Sequence, residues 1–106
     1  MAKYLIAASY TPDGVKGVLK GGGTARVDAV RSMIQGLGGN LESLYFAFGD
    51  VDVYATADLP DNVAAAAIGL AVSASGLTAA KTTVLLTPAE IDEAAKRQVD
   101  YTPPGK

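Results

Sequence analysis

A chain of 106 residues, 49% of them hydrophobic, is long enough for one compact domain with its own core and too short for two. Nine basic against eleven acidic residues leave a formal net charge of -2, so the long-range field gives polyanions no attraction and argues against a nucleic-acid partner. With neither cysteine nor histidine, disulfides, thiol nucleophiles, imidazole acid–base chemistry and nearly every zinc, copper or haem site fall away; no metal or cofactor is expected, and any chemistry rests on Asp, Glu, Lys, Arg, Tyr, Ser and Thr.

In chain order, Lys3 to Tyr10 (KYLIAASY) is apolar on both parities, with Tyr4, Ile6, Ala8 and Tyr10 on one face and Leu5 and Ala7 on the other, which predicts a strand covered on both sides. Its apolar run is too short for a secretory signal, so the expected location is cytoplasmic. The stretch "TPDGVKGVLKGGG" reads as a loop, from Pro12, Asp13 and the run of glycines. A first helix then starts with Thr24 as its N-cap, carries Val27, Val30, Ile34 and Leu37 on its apolar face, and ends at Gly36, Gly38 and Gly39. Leu41 to Phe48 and Val51 to Ala57 form a hairpin around Gly49 and Asp50.

Pro60 opens a second helix with Asp61 in its first turn, running to about Ser75 with Gly76 as C-cap. The most lipid-like stretch, Val63 to Leu77, lies in this helix and falls short of the ~20 apolar residues a membrane span needs. A fourth strand, Lys81 to Leu86, leads into Thr87-Pro88-Ala89-Glu90, a capping box with proline at the first helical position. The short third helix pairs Asp92 with Lys96 and Glu93 with Arg97 at i,i+4. Residues 1–98 thus make the domain, and 99–106, with "YTPPGK", an extended tail.

The order β-α-β-β-α-β plus a terminal helix predicts an α+β, ferredoxin-like fold with an antiparallel four-stranded sheet. Helices cover only one face of such a sheet. Strands apolar on both parities therefore need a second cover, and an identical subunit is the simplest one, which makes a homodimer the expected partner.

The hairpin "FGDVDVY", preceded by "LESLY" and followed by "LPDNVAAAA", resembles the GYD-domain family of the dimeric α/β-barrel superfamily. The resemblance extends through "YTPDG", "ARVDAV", "LGG", "TTVLLTPAEID" and "YTPPG", over nearly the whole chain. It implies a ferredoxin-like fold and a dimer. In that family the hairpin reads Gly, an acidic residue, Tyr, Asp; here Gly49 and Asp50 are followed by Val51 in place of the tyrosine and then by Asp52.

Three sets of residues are candidates for function. Asp50 and Asp52 share a sheet face by their spacing, so they could bind a cation or share a proton; equally, Asp50 is a turn residue and Asp52 a hydrogen-bond acceptor for backbone. In "LKGGGTAR", Lys20 and Arg26 flank glycines at a helix start, where amides and two cations could hold an anion; the competing reading is a flexible surface loop, and the order of residues is not that of a P-loop. Tyr4, Tyr10, Tyr45, Tyr54 and Tyr101 supply hydroxyls, most of them for core or interface positions.

Together these predict a protein that binds a small anionic or carbonyl-bearing molecule in a cleft between sheet and helices, through Lys20, Arg26, Tyr10 and Asp52. An enzyme alternative is a cofactor-independent isomerase, lyase or monooxygenase, with Asp52 as base and Tyr45 among the candidate catalytic groups. A third reading is a structural subunit of a larger homo-oligomer, with the tail reaching a neighbour.

Overall fold

The computed structural model describes residues 1–105; Lys106, the last residue of the expected tail, lies outside them. The elements are β1 (Ala2–Tyr10), α1 (Pro12–Gly36), β2 (Asn40–Phe46), β3 (Val53–Leu59), α2 (Asn62–Ala74), β4 (Thr78–Leu85) and α3 (Pro88–Lys96). The strands form one sheet in the order β2-β3-β1-β4 with every pair antiparallel. This is the expected α+β, ferredoxin-like arrangement, with β1 and β3 in the centre and β2 and β4 at the edges.

Alternation along each strand sorts the side chains. Tyr4 and Ala8 of β1 and Val53, Ala55, Ala57 and Leu59 of β3 are buried on the face that meets Ile34 of α1 and Ala65 and Ile68 of α2. Tyr4 carries a polar tip into this core and satisfies it by donating from its hydroxyl to Asn62 Oδ1 at 2.6 Å. Fully buried Ile34 and Leu59 each contribute about 1.5–3 kcal/mol of hydrophobic stabilisation.

The first helix differs most from the sequence expectation. It begins at Pro12, not Thr24, and Thr11 is its N-cap, its hydroxyl accepting from the Gly14 amide at 3.3 Å. The glycine run, expected as a loop, is helix on both sides of a single break at Gly22, whose φ of 83° and ψ of 168° are open to glycine and strained for other residues. Glycines weaken a helix by roughly 1 kcal/mol each relative to alanine, so tertiary contacts must hold this segment. One such contact is explicit: a Cβ on Gly14 would stand 2.1 Å from the Leu77 carbonyl oxygen, so only glycine lets the helix start approach that backbone. Thr24 is exposed within the second half of the helix and caps nothing.

Smaller adjustments follow from caps and hydrogen bonds. Asp61 is the N-cap of α2, accepting from the Ala64 amide at 2.9 Å, so the helix starts at Asn62 and Pro60 stays outside. Gly76 follows the C-cap Ser75 with a φ of 71°, and β4 starts at Thr78, three positions before the expected Lys81, because its pairing with β1 runs out to Tyr10. The hairpin strands stop sooner on both sides of the turn, at Phe46 and Val53, leaving 47–52 as connection. The capping box at Thr87 and Glu90 forms as expected, and Glu93 pairs with Arg97 at 3.3 Å.

Every residue from Leu86 to Gly105 is exposed, and the molecule is elongated, 57 Å against 33 and 23 Å. The sheet face opposite α1 and α2 is uncovered as well. It carries a polar network in which Lys3 pairs with Glu42 and with Asp58 at 3.0 Å, while Thr56 donates to Glu42 at 3.1 Å. The hydrogen bond to Glu42 raises the Lys3 pKa above its ordinary value, and that to Lys3 lowers the Glu42 pKa.

The signs set a pH window. A depressed Glu42 contributes stability above its unfolded pKa and loses it as pH falls through the folded value; a raised Lys3 contributes below its unfolded pKa and loses it as pH rises through the folded value. Both groups are solvent-screened, so the effect is small, but its shape is testable. Melting curves across pH are expected to fall at both the acid and the alkaline extreme, and Lys3→Met to flatten the part of both falls that belongs to this pair. An unchanged profile in the variant would show that the pair contributes nothing to folding.

Candidate functional site

Between the sheet and the two crossover helices lies a cleft with two lobes. The outer lobe has a volume of about 390 Å³ and is walled by the first half of α1, through Asp13, Gly14, Gly17 and Val18, and by the end of α2 and the start of β4, through Ser75, Leu77 and Thr78. The inner lobe, about 50 Å³, is apolar and reaches the sheet at Ile6, Ala8, Ala55 and Ala80. Tyr10, Arg26, Met33, Val72 and Thr78 line both lobes and so mark the neck between them.

Arg26 lies one turn past the break at Gly22, in the second half of α1, and lines the inner lobe together with Ile6 and Ala8 of β1. The residue is half-buried. Among the described residues it forms no ion pair; Asp13 pairs with Lys16 at 3.7 Å and Asp28 with Arg31 at 3.3 Å. A guanidinium in an apolar cleft attracts an anion more strongly than one in water, and its planar fork suits the two oxygens of a carboxylate.

Asp52 has a different position. Its carboxylate accepts from the Tyr10 amide at 2.9 Å, and its own amide donates to the Ala8 carbonyl at 2.9 Å. Regular β1–β3 pairing ends at Ala8 and Val53, so the Asp52 side chain extends the ladder by one bond past the end of β3. It lines neither lobe and acts on the cleft through Tyr10. Asp50 is exposed in the turn, where its carbonyl accepts from the Ser9 hydroxyl at 2.7 Å, and Val51, in the place of the family tyrosine, is partly buried beside it.

The remaining candidates lie apart. Lys20 is exposed on the first half of α1 and lines no lobe. Tyr45 pairs with Tyr54 across β2 and β3; because Leu44, its neighbour, faces the inner lobe, Tyr45 faces the open side of the sheet, where it is 72% exposed. The cleft therefore gathers Tyr10 and Arg26, with Asp52 behind Tyr10, and leaves Lys20 and Tyr45 outside. Asp13 and Thr78 are polar wall residues that the sequence reading passed over; the Thr11-Pro12-Asp13 cap signature was the available signal for Asp13. Among the described residues no cluster of carboxylates is arranged to hold a metal ion, and no helix is long and apolar enough to cross a membrane.

One antiparallel sheet with both crossover helices on the same side and a ligand-sized cleft between the layers defines a ferredoxin-like α+β protein. The chain belongs to the GYD family: the GYD domain matches residues 4–95. No curated protein and no solved structure matches it.

The Asp52 arrangement yields a stability test. Asp52→Ala removes a charge-assisted bond to a strand amide and is expected to cost about 1–3 kcal/mol in chemical denaturation. Asp52→Asn keeps an acceptor oxygen and should cost less. A denaturation midpoint for Asp52→Ala equal to that of the native protein would remove Asp52 from this role.

Proposed function

We propose that this GYD protein is a homodimer that binds a small anionic or carbonyl-bearing molecule in the cleft between sheet and helices. One observation carries the ligand half of the reading: Arg26, partly buried at the neck of an apolar cleft, has no acidic partner among the described residues. A cation in such a place is costly unless an anion or a strongly polar oxygen joins it. Tyr10 lines the same neck and offers a hydroxyl to orient the same ligand. The outer lobe, at about 390 Å³, falls in the range of small-molecule sites.

The dimer half rests on a separate observation. Leu86, Ile91, Val99 and Tyr101 are exposed hydrophobic side chains of the C-terminal segment, while Tyr45 and Tyr54 stand on an uncovered sheet face. A second copy placed against that face would bury both at once, as closed two-fold symmetry allows.

Two measurements test the halves independently. Sulfate or acetate at constant ionic strength is expected to raise the melting temperature of the native protein and of Arg31→Ala, whose arginine is exposed and already paired with Asp28, and to do so much less for Arg26→Ala. Equal responses of the two variants would sink the cleft reading, because non-specific salt effects act on both alike. Sedimentation at micromolar concentration is expected to give a dimer, and a stable folded monomer would overturn that half.

A further inference from the structure

The inner lobe exists because neighbouring positions on three strands carry alanine. Ala8 of β1 pairs directly with Ala80 of β4, and Ala55 of β3 pairs with Ile6, the next β1 residue on the same face. Ile68 and Val72 of α2 line the lobe on the helix side. A hollow of this kind loses dispersion contacts that a valine or leucine in the floor would restore, so the alanines leave room at a cost in stability.

Its size is selective. A cavity of about 150 Å³ holds one benzene ring. The inner lobe, at about 50 Å³, takes roughly a third of that, on the order of two carbon atoms. Its lining is mostly apolar, and Arg26 lines both it and the outer lobe.

On the cleft reading above, we propose that the ligand is a carboxylate bearing a short alkyl chain, with the carboxylate on Arg26 and the chain in the inner lobe, and that Ala8, Ala55 and Ala80 set the chain length accepted. The carboxylate meets the guanidinium fork through two oxygens. The chain exchanges water for the walls of the lobe, and each methylene so buried is worth about fourfold in affinity. An aromatic ring cannot enter and stays in the outer lobe.

The test is a titration of the full-length protein with formate, acetate, propionate, butyrate and benzoate at constant ionic strength, followed through the methyl resonances. Affinity is expected to rise about fourfold per carbon from formate to propionate and to level off by butyrate. The Ala8, Ala55 and Ile68 methyls should shift with propionate and stay in place with formate. In Ala80→Val the ratio of propionate to formate affinity should fall towards one, and Ala55→Val provides the same measurement should the first variant fold poorly. Equal, Arg26-dependent binding of formate and propionate, or propionate binding with unmoved alanine methyls, would overturn the chain-length proposal and leave the cleft reading standing. Absence of Arg26-dependent binding by every one of these anions would overturn the cleft reading, and this proposal with it.

Discussion

The amide of Tyr10 donates to the Asp52 carboxylate at 2.9 Å, and the amide of Thr11 donates to the Leu77 carbonyl at 3.0 Å, so the end of the central strand is tied on both sides. These bonds decide where β1 stops and where α1 begins. Thr11 is at the same time the cap of α1, and Gly14, one turn on, leaves space for the same Leu77 carbonyl. Asp52, Leu77 and the helix start thereby fix one corner, and Tyr10 points from that corner into the cleft. Loosening any of the three would move a wall of the site.

From the corner, α1 runs to a break at Gly22. The break separates two tasks: Asp13 to Val18 stand over the cleft mouth, while Val30, Met33 and Ile34 reach the core side. Arg26 falls just past the break and inherits contact with both lobes. The apolar surroundings that make its charge effective also make it expensive to leave alone, and this tension is the chief physical reason to expect a ligand there.

The chain thus uses small residues for two separate ends. Glycine admits close backbone approach at Gly14 and a helix break at Gly22. Alanine on the strands withholds volume, and a cavity results where packing would otherwise be complete. Neither use shows in a hydropathy profile, since alanine counts as apolar whether it fills space or leaves it.

The element order, the antiparallel sheet and the two-sided apolar character of β1 were legible from periodicity, which depends only on neighbours along the chain. So was the cap at Thr87-Pro88-Ala89-Glu90, a local hydrogen-bond pattern. The same signature stands at Thr11-Pro12-Asp13, but the glycines after it argued for a loop, and only the packing of Gly14 against Leu77 shows why helix prevails. Arg26 and Tyr10 could be singled out in the sequence as a cation and a phenol; that they share one neck depends on the kink and on strand register. Lys20, equally cationic and near Arg26 in sequence, ends outside the cleft for the same reason. Local order fixes what each residue can offer, whereas distances between residues far apart in sequence are set by the tertiary packing that brings strands, corner and helix break together.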